Sequence, residues 1–579
     1  MEMVNIKING MSFAVPKGST ILEAARYAGI VIPTLCYLKE MNEIGACRIC
    51  VVEVKGARSL VAACVYPVNE GMEIYTNSPA VQRSRKLSLE LILSNHNKSC
   101  LTCVRSGDCE LQKLCRDYGV EEAPQFDGVK TKTTIDDSAA HMVRDNSKCI
   151  LCRRCVAACK AQDVGVIGAN NRGFDTVIGC AFNTDLNNTA CVSCGQCIVS
   201  CPVGALYEKD QTAQVWDAIN DPNKRVVVQT APSIRVALGE CFGMPIGTNV
   251  KGKMVAALRR LGFDDVFDTD VSADLTIVEE ATELVDRIKN GGTLPMITSC
   301  SPGWVKYAEY YYPDQLEHLS SCKSPQQMFG AIAKTYYAQK LGVDPKDMVV
   351  VAIMPCTAKK FEVGREDQDA AGVPDVDIAL TTRELGRMIE RAGINFTSLP
   401  DEDFDEPLGI STGAGAIFGA TGGVMEAALR TAAEWITGDS AAPVDFLDVR
   451  GTDGIKEASY KLGDLDVKVA VASGLSNAKV IMDKIRNGEA DYQFVEIMCC
   501  PGGCVNGGGQ PIQPASVRNN VDLRAVRGKA LYEEDVNLPL RKSHESPVIK
   551  AIYDEYLGEF GSHKAHKILH TSYVQREKY

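Results

Sequence analysis

Residues 149–159 read "CILCRRCVAAC" and residues 191–202 read "CVSCGQCIVSCP". Each contains C-x2-C-x2-C-x3-C, and a proline follows the second. Two such runs in one short region make a pair of [4Fe–4S] sites in which the fourth cysteine of each run ligates the other cluster. The spacing assigns Cys149, Cys152, Cys155 and Cys201 to one cubane. It assigns Cys191, Cys194, Cys197 and Cys159 to the other.

The wider composition agrees with metal chemistry. The chain has 24 cysteines among 579 residues and no secretory signal in "MEMVNIKING". A cytoplasmic protein is expected, and reduced thiols there serve metals rather than disulfides. No apolar run reaches the length of a membrane span. The net charge is −12 with no basic tract, which argues against nucleic acid as a partner.

Upstream lie two further ligand groups. Residues 4–15, "VNIKINGMSFAV", alternate around Asn9-Gly10 and predict a hairpin. Thr20 and Glu23 predict a capping box at a helix start. A hairpin, a helix and a loop with Cys36, Cys47, Cys50 and Cys64 suggest a [2Fe–2S] module over 1–78, with zinc as the rival ligand for C-x2-C. His96, Cys100, Cys103 and Cys109 form a His/Cys3 group within 79–120, suited to zinc or a [4Fe–4S] cubane. The iron–sulfur neighbourhood decides for the cubane. Residues 121–134 are polar and read as a linker. The paired runs occupy 138–208. Cys115 and Cys180 fit no spacing and are expected to be packing residues.

From residue 209 to 524 the texture changes. Apolar strands ("RVVVQTA", "MVVVAIM", "VKVAVA") alternate with helical stretches, as in an α/β domain. Residues 525–579 form a polar, helical tail. The whole is an α+β multidomain chain. Its N-terminal ferredoxin-like iron–sulfur modules precede a large α/β domain.

Three loops of this domain carry the chemistry: "TSCSPGW" (298–304), "MPCTAKKFE" (354–362) and "EIMCCPGGCVNGGGQP" (496–511). Two of them follow apolar strands, where α/β folds bind ligands. Their cysteines suggest a fifth metal site in a redox enzyme. "GAGAIFG" (413–419) lacks a dinucleotide fingerprint and reads as a turn before a helix.

These loops resemble the [FeFe]-hydrogenase signatures TSCCPGW, MPCxxKxxE and ExMACxxGCxxGGGxP, and "APSIRVALGE" (231–240) resembles another family segment. The resemblance covers almost the whole chain. It implies an α/β hydrogenase catalytic domain with an H-cluster, a [4Fe–4S] cubane bridged to a diiron subsite carrying CO, cyanide and a dithiolate. The family interconverts protons, electrons and H2. By resemblance, Cys356 and Cys500 ligate the cubane and Cys504 bridges to the diiron unit. Lys359 and Ser233, with the backbone near Pro232, hold cyanides, while Met354 and Met498 pack around the iron. Glu280, Glu283, Ser320 and Cys300 form the proton route. From spacing alone, Glu280, Glu283 and Arg287 are a salt-bridged helix face.

The sequence departs from the family at one ligand. Ser301 stands where a cubane cysteine is expected, and Cys499 stands where the family has alanine. Cys499 as the replacement ligand, with Cys300 kept as relay, is the favoured arrangement. Rotation of Cys300 into ligation, or a role for Ser301 itself, are the others. Cys241 and Cys322 are expected to be packing residues.

With no nucleotide motif, electrons must come from another protein. Residues 45–64 and the His96 group resemble the large iron–sulfur subunit of respiratory NADH dehydrogenase. That implies flavin- and NAD(P)H-binding partner subunits, with ferredoxin, in an electron-bifurcating or NAD(P)-linked complex. A monomeric ferredoxin-dependent hydrogenase has the same domains. An electron-transfer or H2-sensing subunit with an altered centre is the third reading.

Overall fold

The computed structural model describes residues 2–126 and 128–578. The N-terminal hairpin forms as the sequence predicts. Asn9 and Gly10 take φ values of 52° and 84°. This left-handed pair matches the twist of Met3–Ile8 and Met11–Pro16. Thr20 and Glu23 close their capping box on the helix Ile21–Tyr27. Glu73–Tyr75 then pairs parallel to the first strand and antiparallel to Val51–Val54. The resulting sheet buries Ile6, Ile8, Val15 and Ile74 against Ile21 and Leu22.

Ser78 caps the next helix, Pro79–Ser94, with proline at its first turn. In the expected linker, Asp127 lies outside the described residues. Thr131 nevertheless has a fixed place, exchanging hydrogen bonds with Asn95. The module of paired runs has an antiparallel pair, Met142–Asp145 with Leu206–Glu208, and two helices, Arg154–Ala161 and Gln196–Ser200. The buried Arg154 guanidinium grips Glu110 at 2.8 and 3.0 Å, tying this module to the helix Glu110–Asp117.

The catalytic region holds two four-stranded sheets. In one, Asp265–Asp268, Arg225–Thr230, Met348–Met354 and Ile378–Thr381 run parallel in that order. In the other, Met296–Ile297, Phe494–Met498 and Leu465–Ser473 run parallel, and Ile455–Leu462 is an antiparallel edge. Helices cover the sheets, so central strands are buried on both faces and read as unbroken apolar runs. All three chemical loops follow strands. The strand before "TSCSPGW" has two residues, too short to register in the sequence. Pro302 starts the helix Pro302–Tyr311 instead of ending a loop. "GAGAIFG" is itself helical, as Gly413–Ala416 and a following 3-10 turn, because Gly415 packs directly on the backbone of Asp270.

The tail is helical, beginning with Leu523–Asn537. Its Asp535 meets Arg430 at 2.8 Å through both oxygens, and Glu426 takes the same guanidinium at 2.8 Å; all three side chains are fully buried. Replacing Arg430 with alanine removes a guanidinium shared by two buried carboxylates, leaving Asp535 with Arg541 and Glu426 with Arg450, a change that costs about 1.5–3 kcal/mol. The variant's unfolding midpoint in urea should fall accordingly. A midpoint within error of the parent would show that this network does not hold the tail.

Candidate active site

The three loops meet at one cavity lined mostly by buried residues. Cys300, Ser301, Cys356, Cys499, Cys500 and Cys504 all line it. So do Pro232, Ser233, Met354, Lys359 and Met498, the other residues expected there. Cys194, from the second C-x2-C-x2-C-x3-C run, reaches the same wall.

The thiols sit in an environment that keeps them protonated. Burial raises Cys356, and the charges of Cys500 and Cys504 add to it. Burial pushes Cys504 up to about 12. Cys500 is the exception: a hydrogen bond from the Cys499 thiol lowers it. The Cys499 thiol also meets that of Cys194, so it stands between the two. Its backbone N–H donates to Ser301 Oγ at 3.2 Å. A Cβ at Gly303 would lie 2.7 Å from Cys499 Sγ, so glycine there leaves room for this sulfur.

Acidic side chains lie near Cys300, outside the cavity lining. Burial raises the Cys300 thiol well above its ordinary value, with Glu280 as the next cause. Glu280 lies on the helix Thr269–Asn290, fully buried, and neither carboxyl oxygen has a hydrogen-bond partner among the described residues. Burial, then the charge of Glu283, pushes its carboxyl up to about 8. Glu283 accepts the Ser320 hydroxyl at 2.8 Å and pairs with Arg287 at 2.7 Å. The shared helix face expected from the sequence is therefore a buried carboxyl leading to a half-buried one.

Polar groups around the cavity are unevenly satisfied. Lys359 Nζ donates to Ser324 at 2.8 Å, Glu362 at 2.9 Å and the Cys300 carbonyl at 3.3 Å. Ser233 Oγ and Gln326 Oε1 are buried without partners among the described residues. Gln326 was not legible as a site residue. It lies on a separate helix, Pro325–Ile332, outside every signature.

The N-terminal groups also gather. Cys50 and Cys64 lie 3.4 Å apart, and Cys36 hydrogen-bonds Cys47. Cys109 and Cys103 lie close enough to influence each other, and His96 is half-buried with Nδ1 unpartnered among the described residues. Cys149, Cys152 and Cys155 share a cavity with Cys201 of the other run. Cys197 feels Cys194, Cys191 and Cys159. Cys115 and Cys180 are buried in packing, as is Cys322, whereas Cys241 is half-buried.

Residues 224–508 match the family described as iron only hydrogenase large subunit, C-terminal domain, and 521–576 match iron hydrogenase small subunit. Residues 1–79 match a 2Fe-2S iron-sulfur cluster binding domain. Residues 85–124 match the NADH-ubiquinone oxidoreductase-G iron-sulfur binding region, and 148–205 a 4Fe-4S dicluster domain. The chain is 50% identical to the NADP-reducing hydrogenase subunit HndD of Solidesulfovibrio fructosivorans, over 100% of both chains. It is 45% identical to iron hydrogenase 1 of Clostridium pasteurianum, over 99% of this chain and 100% of that one. A solved variant of HydA1, the [FeFe]-hydrogenase of Chlamydomonas reinhardtii, aligns at 42% identity and a TM-score of 0.56, covering 64% of this chain and all of that one.

The elevated Glu280 carboxyl can be checked directly. A carboxylic C=O band titrating near pH 8 should appear in infrared difference spectra and vanish in Glu280→Gln. Because the native state holds this proton longer than the unfolded chain, Glu280 costs stability as pH rises from about 4.5 towards 8. Glu280→Gln should gain on the parent across that window, and a gain independent of pH would contradict the assignment.

Proposed function

The chain belongs to the [FeFe]-hydrogenase family and is a hydrogenase with iron–sulfur modules at its N-terminal end; from that premise we propose that it interconverts H2 with protons and electrons in the Cys356–Cys500–Cys504 cavity. The observation that carries the reading is the convergence of these thiols on one cavity that Cys194 also lines. When bound there, an H-cluster supplies the iron chemistry of the reaction.

The donor set suits that group. Cys356, Cys500 and Cys504 are soft donors for iron, with Cys504 as the bridging residue. Ser233, whose hydroxyl is unpartnered among the described residues, and Lys359, beside Pro232, would donate to cyanide ligands. Met354 and Met498 give polarizable, apolar walls. For the fourth cubane ligand we propose Cys499, since a serine oxygen is a poor match for this iron. Two contacts support the choice: the Cys499 backbone N–H lies on Ser301, and its thiol lies on Cys500. Cys300 then remains the proton relay, with Glu280, Ser320 and Glu283 carrying protons onward.

The N-terminal groups would hold one [2Fe–2S] and three [4Fe–4S] clusters. Cys36, Cys47, Cys50 and Cys64 hold the first, and His96, Cys100, Cys103 and Cys109 hold the second. The paired runs hold the other two, and Cys194 brings the nearest beside the active site. Held there, the clusters would supply an electron path to a flavin- and NAD(P)H-binding subunit, with ferredoxin, in a cytoplasmic hetero-oligomer. The likeness to HndD and to the NADH-ubiquinone oxidoreductase-G region supports that partner class.

Two experiments test these assignments. Cys499→Ala should lose the active-site cubane, read as iron content and its paramagnetic resonance signal. Cys300→Ala should keep the cubane and lose turnover by about 10²-fold or more. The opposite pattern makes Cys300 the ligand. Separately, Cys194→Ala should slow electron exchange with the flavin-bearing partner far more than exchange with a small artificial donor that reaches the active site. Equal losses with both donors in a folded variant point to a structural role.

A further inference from the structure

The proposed proton route ends at Glu283, but the hydrogen-bonded groups do not. Ser321 donates its N–H to Glu283 Oε2 at 3.1 Å. Its Oγ lies 2.8 Å from Nδ1 of His570, and Nε2 of that ring lies 3.0 Å from Glu279 Oε2. Ligand atoms of Glu283, Cys322 and His570 lie within 4.8 Å of one another. One water spans such a gap. Glu279 also accepts the Tyr553 hydroxyl and the Gly561 N–H.

The protons in this chain have a preferred arrangement. Burial tends to raise Glu279, but hydrogen bonds from His570 and Tyr553 outweigh it and hold the carboxyl below its ordinary value. An ionised Glu279 accepts from Nε2–H, which leaves the Nδ1 lone pair facing Ser321. A carboxylate behind an imidazole fixes its tautomer and stabilises the imidazolium when it forms.

We propose that His570 is the outer proton station of this hydrogenase, a positioning and exchange residue beyond Glu283. The inference rests on the reading of Glu283 as a relay. During H2 oxidation, protonated Glu283 gives its proton to a bridging water, which passes one on to the Ser321 hydroxyl as that hydroxyl gives its own proton to Nδ1. Glu283 is left as carboxylate and His570 as imidazolium. The imidazolium then passes a proton to a solvent base and becomes neutral again. Proton reduction runs the same transfers backwards, and no electron moves in either direction.

The surroundings favour this use. Glu279 and Glu283 both face the ring, and both stabilise its cation. Cys322 pairs with His570 by a backbone bridge and stays neutral because burial raises its thiol. Tyr553 and Tyr573 are held neutral by burial, with Tyr573 donating to the Ser320 carbonyl. Arg287 is already paired with Glu283. His566 stacks on His570 with centroids 4.1 Å apart, is exposed, and is kept low by burial and by His570. The stack therefore leads from Glu283 to solvent.

His570→Gln in the full, cluster-loaded protein tests the idea. In dilute buffer near neutral pH, turnover should fall several-fold. The loss stays below the ~10²-fold typical of a positioned acid or base, because Glu283 keeps some access to solvent. Added imidazole should restore it, with iron content and infrared bands of the metal centre unchanged. Should that variant not fold, Glu279→Gln removes the charge behind the ring and should show the same loss and rescue. Turnover equal to the parent in dilute buffer, or a loss that imidazole does not restore, overturns the proposal. Glu283→Gln separates the two levels. If it keeps full turnover, the relay reading is wrong. If it loses turnover while His570→Gln matches the parent, the relay stands and His570 is no station.

Discussion

The active-site cavity depends on backbone lying against backbone where no Cβ fits. A Cβ at Gly507 would sit 2.2 Å from the Pro355 carbonyl oxygen, and one at Gly508 would sit 2.2 Å from that of Cys194. Gly509 donates its N–H to Pro355 at 2.7 Å. These three glycines press the third loop onto the loop of Cys356 and onto the run of Cys194. The spacing of thiols drawn from three distant parts of the chain is therefore set by main-chain contact, which flexes less than side chains do.

That close approach has an electrostatic consequence. Thiols buried together oppose one another's ionisation, and burial raises Cys300, Cys356 and Cys504 alike. The loops can fold as neutral groups. Metal binding must then expel protons, since thiolate is the ligand form. Cys500, by contrast, is held below its ordinary value, and the cause is the hydrogen bond from the neighbouring Cys499 thiol. The residue that departs from the family pattern thus also adjusts the donor next to it.

Legibility in the sequence followed locality. The Asn9-Gly10 hairpin, the Thr20–Glu23 box and the paired cysteine runs are set within a few residues, and all could be read directly. The long strands could be read because burial on both faces leaves unbroken valine runs, whereas Met296–Ile297 was too short to see. Which loops meet was legible by resemblance alone. The meeting of Cys499 with Cys194, and of His570 with Ser321 and Glu279, could not be read. Those partners are hundreds of residues apart, and no spacing rule links them. Gln326 escaped because it belongs to no signature.

The placement of Cys300 and Ser301 follows from strand geometry. Ser301 has φ −100° and ψ 100°, an extended backbone. Successive side chains along extended backbone point to opposite sides. The charge of Glu280 acts on Cys300, whereas the Ser301 hydroxyl accepts the Cys499 N–H. Exchanging their roles would require the chain to reverse its facing just before Pro302, whose ring restricts the preceding residue and starts a buried helix. Cys499 packs among Val192, Trp304 and Ile497, an apolar setting beside Cys194 that offers no proton path. Cys300 packs on the other side, where Glu280, Ser320 and Glu283 follow. Cys300 therefore feels both the carboxyl of Glu280 and the thiol of Cys504, while Ser301 meets the backbone of Cys499.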